Sequence, residues 1–328
     1  MKYKTIGILG GSGFVGRHLS ALLASKGYQV HILSRNPLKH HSLSLIQNLN
    51  IATGDIFDNS TLEEFCQHKD VIINLVGILN EPKDNGQEFH RVHVDLAHHV
   101  VHACEVAHTS RLLHMSALNA DADNGSSYYL RSKGEAEDFV LHAGEWGLHV
   151  TAFRPSVIFG HDDQFLNRFA GLLRLLPFAF PLACPQSRLA PVYIGDVCDA
   201  FLSAMENPES YGKTYELCGP QAYSLKQLVQ YTAQQSGLKR LIIGLPGLFS
   251  RMQARMLGLL PTKPFTMDNY RSLQANSICT SNGLEELGIT ARSIESTAPR
   301  YLANDSYKGH LNSFRSQRPF AMSNKHEL

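Results

Sequence analysis

The stretch "ILGGSGFVGRHL" places Gly10, Gly13 and Gly16 directly after the apolar run "TIGIL" and at the opening of a helical pattern over residues 14 to 26. A glycine turn between a buried strand and a helix restricts the fold more than any other feature of this chain. Glycine at 10 permits the tight turn, glycine at 13 lets the backbone approach a pyrophosphate, and glycine at 16 lets the helix pack closely on the strand. The first N-H groups of the helix have no partner within it and, with the helix dipole, face an anion. A glycine-rich turn without a ligand has the same spacing. The strand-turn-helix context favours a dinucleotide loop, built from Gly10, Ser12, Gly13, Phe14, Val15 and Gly16.

The rest of the first half repeats that alternation. The runs "QVHIL", "NIAT", "DVIINLV", "RLLHMS" and "HVTAFR" read as strands, with helices near 60 to 68, 88 to 108 and 127 to 143 and a weaker segment at 38 to 48. Strands alternating with helices give a parallel sheet covered on both faces, and right-handed crossovers make it doubly wound. The expected class is α/β: a Rossmann sheet with a smaller C-terminal α+β cap. Residues 1 to 160 form the nucleotide domain and 161 to 303 the cap. Residues 191 to 207 pack back on the sheet, and 304 to 328 are a loose polar tail. Helices are expected near 163 to 176, 195 to 207, 224 to 236 and 246 to 260, and short strands near 191 to 194 and 214 to 217.

Charge and cysteine content narrow the function classes. A formal charge of +1 offers no basic field for a nucleic acid. The six cysteines never form C-x-x-C, so neither a zinc site nor a disulfide framework is indicated, and reduced cytoplasmic thiols fit. No signal peptide is expected at the N-terminus, and no window suits a transmembrane helix. Five histidines, at 90, 93, 98, 99 and 102, crowd one helix, but no H-E-x-x-H accompanies them and no metal site is expected.

The end of the second strand bears on which dinucleotide binds. NAD calls for a carboxylate there, and "VHILSRNP" has none. Ser34 and Arg35 stand there instead, and a guanidinium forks well onto a 2'-phosphate. A solvated surface arginine is the plainer reading of Arg35. NADP(H) is favoured over NAD(H).

In "SSYYLRSKGEAE" the tyrosine at 129 and the lysine at 133 fall on one helix face. An ammonium beside a phenol favours the phenolate and lowers the tyrosine's pKa towards a range useful for proton transfer. Chance alone supplies about half of one such pair in a chain with 12 tyrosines and 13 lysines, so position must decide. Ser116 ends the fifth strand at the sheet edge where ligands of doubly wound folds bind, and "NLVG" (Asn74 to Gly77) ends the fourth at the same edge. The candidate catalytic set is Ser116, Tyr129 and Lys133.

With the glycine loop, the "GD" at Gly54 and Asp55, "NLVG", Ser116, Tyr129 and Lys133, the chain resembles an extended or atypical short-chain dehydrogenase/reductase. The resemblance implies that Asp55, with Ile56, contacts adenine and that Leu75, Val76 and Gly77 border the dinucleotide. It further implies that Lys133 holds the nicotinamide ribose, that Tyr129 is the acid/base, and that Pro155, Val157 and Ile158 of "RPSVIFG" line the nicotinamide. On the residues alone, Asp55 reads equally as a turn residue and Arg154 as the end of a strand. "YLRSKGEAE", "RPSVIFGHDDQFLNRFA", "PVYIGDVCDAF", "YELCGP", "LLPTKPFT" and "GLEELGI" resemble a narrower branch. It contains the Rossmann-fold accessory subunit of respiratory complex I, its bacterial relatives and a factor of ubiquinone biosynthesis. That likeness reaches to about Ala303 and implies a tightly held NADPH with a structural or assembly role. Sugar-nucleotide epimerases share the first half but carry an asparagine where this chain has Pro155 and Ser156, which counts against a nucleotide sugar.

Two function classes follow. One is an NADPH-holding protein docked on a respiratory or quinone-synthesis assembly, peripheral at the inner face of a membrane. The other is an NADPH-dependent oxidoreductase acting on a small carbonyl or quinone-derived substrate. The stripe Leu248, Met252, Met256 and Leu259 or Leu260 is expected to pack into the cap, with a membrane surface as the alternative, and the prolines of "LLRLLPFAFPLAC" favour a ligand-covering loop.

Overall fold

The computed structural model describes residues 2–303, apart from the side chains at 41 and 42; the polar tail expected from residue 304 lies outside them. Seven parallel strands form the central sheet: β1 Thr5–Leu9, β2 Gln29–Ser34, β3 Leu49–Thr53, β4 Val71–Asn74, β5 Arg111–Met115, β6 His149–Pro155 and β7 Lys213–Leu217. Every residue of β4 and β5 is buried, Asn74, Arg111 and His114 included, because helices cover both faces of the sheet. The spatial order is β7-β6-β5-β4-β1-β2-β3. The chain reverses direction across the sheet between β1 and β4, and the crevice at their carboxyl ends is the topological switch point.

Four helices of eight residues or more accompany the first six strands: α1 Phe14–Ser25, α2 Asn59–Cys66, α3 Leu96–Val106 and α4 Tyr128–His142. Capping residues fix two of their starts: Asp58 accepts from Thr61 N at α2, and Ser127 accepts from Leu130 N at α4. Helix α3 is entered through a π-helical run, His90–Asp95, whose extra residue per turn shifts the phase of everything before it.

The later chain returns to the sheet. Helix α6, Ile194–Glu206, buries Val197, Phe201 and Ala204, and Phe201 stacks on Phe153 of β6 with ring centroids 4.0 Å apart. Strand β7 then pairs with β6 from Lys213 opposite Thr151 to Leu217 opposite Pro155. Arg111 locks this return without any carboxylate. Fully buried, it donates to the His149 and Ala204 carbonyls at 2.9 and 3.0 Å and to the Thr151 and Ser210 hydroxyls at 2.7 and 2.9 Å, gathering the exposed carbonyls at the end of α6.

The cap contains α5 Leu166–Leu175, α7 Leu225–Gln235, α8 Gly247–Gly258 and α9 Met267–Ser272, with a parallel pair of strands, Ala179–Leu182 and Leu241–Gly244. Three expectations fail here. The proline-bearing segment is a strand where a loop was expected, since a two-stranded edge accommodates Pro181. The stripe on α8 faces outward, with Leu248 77 % and Met256 63 % exposed; small residues, Ser250 and Ala254, take the buried side, where Ser250 Oγ accepts from Cys184 N at 3.3 Å and donates to the Leu245 carbonyl at 3.1 Å. Cys218 and Cys279 form a disulfide, so reduction of all thiols does not hold for this pair. The two are 61 residues apart in sequence, and only the fold brings them together, at the end of β7, where Asn282 Nδ2 donates to the Cys218 carbonyl at 3.0 Å. Among the described residues, no helix is long and apolar enough to cross a membrane.

Candidate functional site

The glycine loop lies at the switch point. Gly10 adopts φ +77°, and a Cβ there would come within 3.1 Å of the Leu75 carbonyl carbon and the Val76 nitrogen. A Cβ on Gly16 would lie 2.3 Å from the Gly10 oxygen and 2.5 Å from Gly11 Cα, so α1 starts directly against the loop only because position 16 has no side chain. Gly13 N donates to Gly10 O at 2.9 Å, and Ser12, Phe14 and Val15 are half-buried around the turn. The first turn of α1 has no acidic residue and no side-chain cap, so its positive end is left for an anion.

At the neighbouring strand ends, Ser34 is buried and accepts from Asn36 N at 3.3 Å, while Arg35 is exposed and makes no ion pair among the described residues. Asp55 is exposed and accepts from Phe57 N at 3.1 Å, with Ile56 half-buried beside it, so its turn role is realised and its second oxygen is left over. Leu75 N donates to Leu9 O at 3.0 Å, and Val76 N donates to Asn74 Oδ1 at 3.1 Å. A Cβ on Gly77 would stand 3.4 Å from His93 Nε2 and 3.5 Å from Lys133 Nζ, which brings the "NLVG" turn against the helix carrying Tyr129.

Ser116 follows β5 and Lys133 reaches the same strand end, while Tyr129, one turn before Lys133 on α4, packs against Ala117, Ala120 and Leu130. Ser116 N donates to the Phe153 carbonyl at 2.8 Å, and the Ser116 hydroxyl is buried without a hydrogen-bond partner among the described residues. Such an atom is rare in a folded chain and fits a site that receives a ligand oxygen. Lys133, on α4, is buried and donates through Nζ to the Met115 carbonyl at 2.7 Å. Burial brings its pKa down to about 8, against the pull of Glu137. The Tyr129 ring stands edge-on to Phe89 and His93, with centroids 5.9 and 5.6 Å away. Its pKa does not fall as the pairing with lysine predicts. Burial, then the Asp268 carboxylate, push it up to about 12, and the lysine is engaged by a main-chain carbonyl.

Three neighbours escaped the sequence reading. His93, buried in the π-helical run, accepts from Ile78 N at 3.1 Å through Nε2; as a neutral ring it then carries its hydrogen on Nδ1, 2.8 Å from Ser132 Oγ. That hydroxyl donates to the Tyr129 carbonyl at 3.0 Å. Burial, then the Lys133 charge, hold His93 well below the usual histidine range. His114 of β5 receives the Asn74 amide at 3.4 Å on Nδ1 and has a buried, partnerless Nε2; burial, then Lys133, take it down to about 3. Asp268 of α9 accepts from Tyr128 N at 2.8 Å and Tyr129 N at 3.2 Å, capping α4 from the cap. Only His93 left a signal, as one of a crowd of histidines. Three others of that crowd diverge: His90 faces Asp95 at 3.1 Å, His98 stacks on Phe139 at 3.5 Å and His102 lies 3.7 Å from Glu63.

The cap closes over this edge. Lys263 Nζ donates to the Glu81 carbonyl at 2.7 Å and to that of Pro82, and Asn269 Nδ2 donates to the Leu79 carbonyl at 3.2 Å. Pro155 ends β6 and Val157 and Ile158 follow it, all three half-buried, with Val192 N donating to the Val157 carbonyl at 3.0 Å. Ser156 is turned away into a hydrogen bond with the Ser277 carbonyl at 2.9 Å, and Arg154 is paired with the buried Glu137 at 2.9 Å.

The sequence profile of the NAD dependent epimerase/dehydratase family matches residues 6–218. The chain is 30% identical over 297 residues, 88% of its length and 77% of the relative's, to NADH dehydrogenase [ubiquinone] 1 alpha subcomplex subunit 9, mitochondrial, of Rattus norvegicus. It is 24% identical to 4-hydroxy-2-methyl-3-oxo-4-farnesyl-3,4-dihydroquinoline-1-oxide ketoreductase of Stigmatella aurantiaca, over 76% of this chain and 78% of that one. Among solved structures, the NADPH-dependent quinone oxidoreductase of Escherichia coli, complexed with NADPH, shares the fold with a TM-score of 0.69 at 19% identity, over 94% of this chain and 99% of that one.

Proposed function

The chain belongs to the NAD dependent epimerase/dehydratase family and so binds a nicotinamide dinucleotide, and from that premise we propose that it takes NADP(H) in preference to NAD(H) and reduces a carbonyl group on a quinone-derived or similarly lipophilic substrate. What carries the reading is the buried, partnerless hydroxyl of Ser116 at the sheet edge shared with Tyr129 and Lys133. When bound, the dinucleotide supplies a hydride. Tyr129, kept protonated by burial and Asp268, donates its phenolic hydrogen to the carbonyl oxygen, and Ser116 O-H donates to the same atom. Lys133, with ammonium hydrogens beyond the one on Met115, holds a ribose hydroxyl, and at about 8 its pKa lets it pass a proton back to the phenol. Arg35, exposed and unpaired, takes the 2'-phosphate. The farnesyl-bearing ketone in the name of the Stigmatella relative supports the substrate class.

The 30% identity to a subunit of a mitochondrial NADH dehydrogenase favours a second reading, in which the chain holds NADPH as a peripheral part of a respiratory or quinone-synthesis assembly. Mass spectrometry of the nucleotide that copurifies, followed by Tyr129→Phe, separates the two. A reductase keeps NADPH and loses turnover at least about 100-fold, whereas an assembly subunit keeps both cofactor and cellular role. Copurification of NAD alone refutes the Arg35 assignment.

A further inference from the structure

The near-neutral total charge hides a strong segregation. Residues 164 to 195 and 217 to 267 contain no aspartate or glutamate, yet together hold nine lysines and arginines. These two stretches make up most of the cap, so the cap is a cationic lobe on a chain whose remaining residues are net acidic.

An apolar face projects from the same lobe. On α8 and just beyond it, Leu248, Phe249, Met252, Met256 and Leu259 are all more than half exposed, and Leu259 reaches 86 %. The face continues onto the strand pair. Gln253 Nε2 of α8 donates to the Pro181 carbonyl at 2.9 Å, Pro181 is in register with the exposed Ile243, and Leu241 N donates to the carbonyl of Phe178, itself 85 % exposed, at 3.1 Å. Large contiguous apolar patches on soluble chains mark places where something binds. Arg251 and Arg255 stand on the same helix, exposed and without an ion pair among the described residues.

The charge decides between occupants. A second copy of this chain would set one cationic lobe against another, which opposes association. A leaflet of anionic lipid satisfies both parts: the leucines, methionines and phenylalanines enter the headgroup-acyl boundary, and the arginines meet phosphates. At 12 residues α8 is about 18 Å long, enough to lie in the interface and too short to span it. We propose that this face of the cap seats on an anionic phospholipid bilayer, with α8 lying in the plane of the headgroups. The inference goes beyond the redox chemistry and does not depend on it.

The test is flotation of the full chain with vesicles of phosphatidylcholine alone and of phosphatidylcholine mixed with phosphatidylglycerol, with NADPH binding measured on the same preparations. Flotation with the mixed vesicles alone is expected, weakening about five-fold for each of Arg251→Gln and Arg255→Gln. It should be lost in Phe249→Glu/Met252→Glu, whose substituted side chains are exposed and whose NADPH binding should be unchanged. No flotation with mixed vesicles, equal flotation with both kinds, or flotation indifferent to these substitutions overturns the proposal. So does a concentration-dependent dimer broken by Met252→Glu without any vesicle binding. Failure of the wild-type chain to bind NADPH refutes the proposed function and leaves the membrane face standing.

Discussion

Acidifying the protein from pH 7 to pH 5 should remove about 2 kcal/mol of stability through His114 alone. This imidazole is buried in β5, where a charge has no water to solvate it and the Lys133 ammonium repels it, and its pKa stands at about 3 against an ordinary 6.5. The folded chain therefore keeps it neutral, while the unfolded chain takes up a proton as pH falls through 6.5. The stability it contributes is complete above that value and declines as the pH drops towards 3. Well below 6.5 the loss approaches about 1.4 kcal/mol per pH unit. Integrated between 6.5 and 3 it reaches roughly 4 kcal/mol. His93 is displaced in the same direction and steepens the curve. Urea-unfolding free energies for the wild-type chain and His114→Gln, measured at intervals from pH 7.5 to pH 5, isolate the one group. The variant starts lower, having lost ring packing, and its slope should be shallower by close to one proton below 6.5. Parallel slopes, or a wild-type stability that rises with acid, refute the reasoning.

Arg35→Ala should weaken NADPH binding roughly ten- to hundred-fold, as expected for losing a hydrogen bond to a charged group, and leave NADH binding unchanged in fluorescence titration; equal losses for both would remove Arg35 from the phosphate. Asp268→Asn takes a negative charge from beside Tyr129, so the phenol should titrate at lower pH in ultraviolet difference spectra against Tyr129→Phe, at a cost of about 1 kcal/mol from the weakened cap; an unmoved titration refutes the role of that carboxylate. Reducing Cys218–Cys279 reopens a loop set by a separation of 61 residues and should lower unfolding free energy by up to about 4 kcal/mol, and Cys279→Ser should show the same loss with no further response to reductant.

The nucleotide half was legible because its signals are local. Gly10, Gly13 and Gly16 impose their turn within seven residues, and the strands β1 to β6 are short runs centred on apolar residues, most clearly "TIGIL" and "VIIN". Tyr129, Lys133 and Ser116 could be nominated because helix spacing and strand ends are periodic features. Asp268 could not, since it reaches the start of α4 from 140 residues away and leaves no trace near Tyr129 in sequence. His114 was hidden inside "RLLHMS", where a histidine in an apolar run reads as an ordinary strand residue. The stripe on α8 shows the limit of periodicity: spacing identifies an apolar face, but whether that face meets protein or solvent depends on which neighbour arrives, and here Ser250 and Ala254 met the protein.

The order in which β6 and β7 appear along the chain has a consequence during synthesis. Residues 156 to 212 separate them, so the hydrogen-bonding edge of β6 stays unpaired until Leu217 has left the ribosome. An emerging chain in that state offers a template to any other extended segment nearby. Chaperone demand in translation should therefore rise in the interval before Leu217 emerges, and a ribosome paused there would expose an unpaired strand edge to association.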